Sequence, residues 1–156
     1  MKTIAEHMMA MRAAAFVGLR HNERTALWEG ILSPSGARDY NIRVAYATPI
    51  LGEVFTIGRV QPQVRVMSPL LERHYDYEQG PIPHVYWDNE DYDHPVLCLF
   101  SLEGREWGLD DLIAETTILW ASRWLYFYEG WLATKKWKGG GRHPGRHRDG
   151  KRLATV

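Results

Sequence analysis

The chain has 156 residues, with 19 Lys/Arg against 19 Asp/Glu, so its formal net charge is zero. That length suits one domain with its own core, and 45% apolar with 24% charged residues excludes a disordered or fibrous chain. Charge balance excludes a global polycation for coating nucleic acid or membrane, and a single cysteine, Cys98, excludes an internal disulfide framework or a cysteine zinc cluster.

Thr3 and Glu6 have capping-box spacing, and Ile4, Met8, Met11, Ala15 and Leu19 follow at steps of three and four. This predicts an amphipathic opening helix reaching Leu19, closed by the polar His21–Arg24 stretch. Trp28–Leu32 then runs as a strand to a turn at Ser33-Pro34-Ser35-Gly36. Tyr40, Ile42, Val44 and Tyr46 alternate with Asn41, Arg43 and Ala45, the period of a half-buried strand. Val54–Ile57 and Val64–Val66 are further short strands of an antiparallel meander.

Between Ser68 and Pro95 the texture changes. Prolines 69, 81, 83 and 95 punctuate it, and Arg73 is the one base among its acids. It reads as an irregular surface segment, and a long ordered loop of this kind tends to be functional. Val96–Phe100 is a short apolar run. After Trp107, a helix is predicted from Asp110 or Asp111, with Trp120, Trp124 and Trp131 filling one face against the sheet. Gly139-Gly140-Gly141 breaks its continuation. The basic tail from Lys135 to Arg152 interleaves glycine, histidine and proline and lacks a recognition helix, zinc finger or aromatic RNA motif, so it reads as a solvated tail or docking arm. Glu6 and Arg12 interrupt any signal-peptide core, and Glu115, Arg123 and Glu129 interrupt any membrane span.

Cys98 has two readings. It is a small buried hydrophobe, or it is a nucleophile placed between an acidic loop and a turn. A thiol attacks carbonyls well and leaves readily in a second exchange, but acidic neighbours do not favour its thiolate. His84 and His94 flank the acidic loop and offer a Cys–His dyad or a metal site. Yet four residues along a strand separate His94 from Cys98 by about 13 Å, so direct pairing is not implied. His143 and His147 have i,i+4 spacing, but Pro144 and Gly145 argue against a helical metal face.

The ordered set of motifs is more specific than any single one. Trp28-Glu29-Gly30 enters a strand after the opening helix, and a proline-rich approach leads to His84-Val85-Tyr86. Leu97-Cys98-Leu99-Phe100 and Trp107 follow. Leu119–Leu125, Tyr128–Thr134 and Trp137-Lys138-Gly139-Gly140-Gly141-Arg142-His143-Pro144 complete the set. This order resembles the bacterial ubiquitin-conjugating-enzyme-like proteins of anti-phage cyclic-oligonucleotide signalling (CBASS) operons, in their stand-alone form.

The resemblance implies an α+β fold of ubiquitin-conjugating type: N-terminal helix, antiparallel β-meander, active-site loop and C-terminal helices. It implies a domain over residues 1–138 followed by a Gly-rich basic tail over 139–156. It implies a cytoplasmic, cysteine-dependent acyltransferase with no cofactor and no metal. Cys98 would accept the C-terminus of a cGAS-like nucleotidyltransferase (CD-NTase) as a thioester and pass it to an amine, such as an acceptor protein's lysine. His84-Val85-Tyr86 stands where eukaryotic relatives carry His-Pro-Asn, so the usual asparagine oxyanion donor is replaced by Tyr86. Tyr86, Asn89 or a backbone N–H are the alternatives for that role, with His84 positioning the loop. The rival functions are a non-catalytic scaffold of the same fold and a nucleic-acid module working through the basic tail; a membrane partner is not expected.

Overall fold

The protein is described by a computed structural model over residues 1–50, 61–77, 80–99 and 107–139. The strand expected at Val54–Ile57, the His143/His147 pair and the tail beyond Gly139 lie outside the described residues.

Helix α1 spans Ile4–Ala13. Thr3 caps it, its Oγ1 accepting from the Glu6 N–H at 3.2 Å while Glu6 Oε2 accepts from the Thr3 N–H at 2.8 Å. Its buried positions are Ile4, His7 and Met11. The helix ends earlier than its apolar periodicity suggested. Ala15 takes a left-handed φ of 63°, the Phe16 N–H donates back to the Met11 carbonyl at 2.9 Å, and Phe16 turns into the core. Val17–His21, which overlaps the helix that the periodicity predicts to Leu19, is instead strand β1, exposed along its whole length.

Strands β2 (Thr25–Leu32), β3 (Tyr40–Ala47) and β4 (Gln63–Ser68) form an antiparallel meander with β1. The period of two is expressed directly: Tyr40, Ile42, Val44 and Tyr46 are all buried, as are Val64 and Val66 opposite them. Each such side chain contributes roughly 1.5–3 kcal/mol by leaving water. On the other face, Glu29 of β2 pairs with Arg43 of β3.

Two very short strands, β5 (Val85–Tyr86) and β6 (Val96–Leu97), complete a six-stranded sheet ordered β1-β2-β3-β4-β6-β5. The proline-rich Ser68–Pro95 segment is therefore not wholly irregular. It contributes β5, a two-residue strand too short to leave any periodic signal.

Helix α2 spans Thr117–Thr134. It starts later than Asp110 or Asp111 because side chains there hold turns instead. Asp111 Oδ2 accepts from the Gly108 N–H at 2.7 Å, and Thr116 Oγ1 donates to the Leu112 carbonyl at 2.9 Å. The buried stripe is Ile118, Ala121, Trp124, Leu125, Tyr128 and Trp131, while Trp120 is only half-buried. Tyr40 of β3 reaches α2 by donating to Glu129 Oε1 at 3.1 Å, and the Glu72 N–H donates to Tyr128 Oη at 2.7 Å. These contacts join helix, sheet and loop into one core. The architecture is α+β, with one antiparallel sheet and two helices; where several C-terminal helices were expected, α2 is the one helix after the sheet among the described residues.

Candidate active site around Cys98

β5 and β6 set the site by their register. Val85 lies opposite Leu97 and Tyr86 opposite Val96, so His84 falls opposite Cys98. The Cys98 N–H donates to the His84 carbonyl at 3.0 Å, extending the ladder by one pair. Tyr86 and Cys98 then share a face as diagonal neighbours, about 7–8 Å apart at the backbone, a span an aromatic side chain can bridge. The phenol does so: Cys98 Sγ lies 3.2 Å from Tyr86 Oη, the thiol donating.

Both groups are half-buried. Removal from water, together with the Cys98 contact, pushes the Tyr86 phenol above its ordinary range. Tyr86 therefore keeps its proton near neutrality and can also serve as an O–H donor.

His84 is brought to the same ribbon in a different role. It is buried and holds a left-handed φ of 52°, a conformation that costs of order 1–3 kcal/mol and persists where its surroundings hold it. They do. Its carbonyl accepts from Cys98 and also from the Trp124 indole N–H at 2.9 Å, and its ring stacks on Trp137 at 5.0 Å. Asn89 is exposed on a turn that Asp88 closes by accepting the Glu90 N–H at 2.9 Å.

His94 is committed elsewhere: its Nδ1 is 2.7 Å from Asp91 Oδ1. Among the described residues no cluster of three or more His, Cys, Asp or Glu could hold a metal ion, and no helix is long and apolar enough to cross a membrane.

The acidic loop between the two short strands is gripped by two arginines that no sequence motif ties to the site. Arg65 of β4 pairs with Asp88 Oδ2 at 2.7 Å and donates to the His94 carbonyl at 2.5 Å. Arg73 lies over the rings of Trp87 and Tyr92, at 5.3 and 4.3 Å, and donates to the Tyr92 carbonyl at 2.5 Å. Arg73 had one visible signal, as the sole base in an acidic stretch. Arg65 looked like any solvent-facing residue of an alternating strand.

These features define an α+β domain that presents one half-buried thiol, in contact with a phenol, on a short two-stranded ribbon. The family model for the Type II CBASS E2 protein matches residues 6–144, a span that includes Cys98, Tyr86, His84 and Asn89. The chain belongs to that family and is a CBASS-associated, E2-like protein. No curated protein matches the chain significantly.

Proposed function

We propose that the protein is a cysteine-dependent acyl carrier of ubiquitin-conjugating type. The observation that carries this reading is the 3.2 Å contact between Cys98 Sγ and Tyr86 Oη at a half-buried site. In the first step the Cys98 thiolate attacks the activated carbonyl at a partner's C-terminus. A C–S bond forms as the bond to the activating group breaks, and the thiol's proton passes to solvent. In the second step an amine attacks the thioester carbonyl. A C–N bond forms, the C–S bond breaks, the amine loses a proton and Cys98 is regenerated as thiolate.

Both steps place negative charge on the carbonyl oxygen. Tyr86 is the donor we assign to it, since its O–H stays protonated and lies beside the reacting sulfur. The acyl donor in this reading is the C-terminus of a CD-NTase and the acceptor is a protein lysine, which ties the chemistry to cyclic-nucleotide signalling against phage.

Co-expression of the protein with a CD-NTase from the same operon tests the reading. Intact mass should show an adduct on the wild type that both thiol and neutral hydroxylamine release, the second reagent separating thioester from disulfide. Cys98→Ala should fold normally and carry no adduct. An adduct that survives in Cys98→Ala would overturn the assignment.

A further inference from the structure

Arg65 holds both arms of the loop that separates Tyr86 from Cys98. Its NH2 group meets Asp88 Oδ2 at 2.7 Å, two residues beyond Tyr86 on the outgoing arm. Its NH1 group meets the His94 carbonyl at 2.5 Å, two residues before Val96 on the returning arm. Arg65 itself faces Val96 across the β4–β6 pairing. The pair is well shielded, with side-chain exposures of 16% for Arg65 and 13% for Asp88. A planar guanidinium with fixed donor directions can span two acceptors in this way, whereas an ammonium cannot fix two directions at once.

The ribbon's own two strands do little to set its register, and the clasp is the contact that ties both arms of its loop. β5 and β6 are two residues each, and a slip of one residue would move Tyr86 to the opposite face from Cys98. We propose that Arg65 is a positioning residue for the Tyr86–Cys98 contact: by tying Asp88 and the His94 carbonyl together it locks the strand register that brings phenol to thiol. The proposal rests on the reading of Cys98 and Tyr86 as the reactive pair only for its catalytic meaning; the positioning itself is measurable without any partner.

Cys98 is the one thiol of the chain, so alkylation of the purified protein by iodoacetamide reports on it alone. The rate is followed against pH, and the midpoint gives the thiol's titration. Donation from the phenol to a thiolate is charge-assisted, so its loss should raise the midpoint. Tyr86→Phe should raise it by roughly half a unit to one unit. Arg65→Met should raise it similarly, and Arg65→Lys should fall between Arg65→Met and wild type.

The other ionisable side chains of the ribbon and loop are His84, Asp88, Glu90, Asp91, Tyr92, Asp93 and His94, with Arg73 packed over the loop, and all remain in Tyr86→Phe, Arg65→Met and Arg65→Lys. The decisive arm is the double variant. If Arg65 acts through Tyr86, Arg65→Met should add nothing to the midpoint of Tyr86→Phe. Asp88→Asn breaks the same clasp from its other end. Its lost carboxylate by itself lowers the midpoint, so the reading is taken as a difference. In that background Tyr86→Phe should no longer move the midpoint, which keeps the test open if Arg65→Met does not fold. A midpoint unchanged in Tyr86→Phe or in Arg65→Met would overturn the proposal, as would a full Tyr86→Phe shift retained in the Arg65→Met or in a folded Asp88→Asn background. A failure of thioester formation with intact midpoint coupling would instead strike only the functional reading.

Discussion

The Trp124 indole N–H donates to the His84 carbonyl at 2.9 Å, and that same carbonyl accepts the Cys98 N–H at 3.0 Å. One oxygen therefore links the central face of α2 to the strand carrying the thiol. Trp124→Phe keeps an aromatic ring in the core but removes one of the two donors. Loss of a buried hydrogen bond should cost about 1–3 kcal/mol, read from urea unfolding. The same variant should change the alkylation rate of Cys98, whereas Trp120→Phe, on a half-buried position, should leave that rate unaltered.

Tyr86→Phe tests the oxyanion donor assigned to both steps at Cys98. The fold should persist and the thioester should still form, more slowly, while discharge of the preformed thioester to free lysine slows. Removal of one oxyanion donor typically lowers such a rate by about 10²–10³. Asn89→Ala, on its exposed turn, should have the smaller effect. Single-turnover discharge measures both. Equal rates for Tyr86→Phe and wild type would return the oxyanion role to Asn89 or a backbone N–H.

His7 gives stability a dependence on pH. It is fully buried between α1 and the 107–117 segment, its Nδ1 accepting from the Ile113 N–H at 3.5 Å and its ring edge-on to Tyr46 at 5.2 Å. Burial lowers its pKa from 6.5, so the folded state resists protonation more than the unfolded chain does. Its contribution is thus present in full above pH 6.5 and is lost as pH falls from there toward the folded pKa. The slope from one such group is at most about 1.4 kcal/mol per pH unit. Glu6, held down to about 2 by the Thr3 N–H and Lys2, acts only below its ordinary 4.5 and leaves that window clear. His7→Gln should flatten the loss of urea stability between pH 6.5 and 5. An unchanged slope would show that His7 is not its source.

Gly30 marks a close approach within the sheet. A Cβ there would sit 2.7 Å from the buried Phe16 ring, nearer than real contacts allow. Gly30→Ala should therefore destabilise the fold by about 1–3 kcal/mol through overpacking. Chemical denaturation checks it. Combining Gly30→Ala with Phe16→Leu should recover part of the loss, since the smaller side chain vacates the space the new methyl needs.

Much of the sheet was legible in the residues alone. The alternation from Tyr40 to Tyr46 could place its four large side chains on one face in one way only, and the meander around it follows from local turns. The capping box at Thr3 and Glu6 likewise announced α1. The uniqueness of Cys98 singled it out without any structure. Local signals failed where a tertiary contact outbid them. The periodicity through Ala15 and Leu19 continued a helix that the burial of Phe16 ends at Ala13. The carboxylate of Asp111 closed a turn where a helix start was expected.

The candidate site depends most on what no local pattern carries. Tyr86 and Cys98 are twelve residues apart, and their contact exists through the pairing of two-residue strands across an acidic loop. Strands that short have no period to read, so their register is set from outside, by Arg65 on the neighbouring strand and by Trp124 on the helix. Sequence alone named the residues here that carry a thiol, a phenol, an imidazole or an amide. Only the folded chain decided which of them meet, because a register that long loops leave open is closed by contacts with residues far away along the chain.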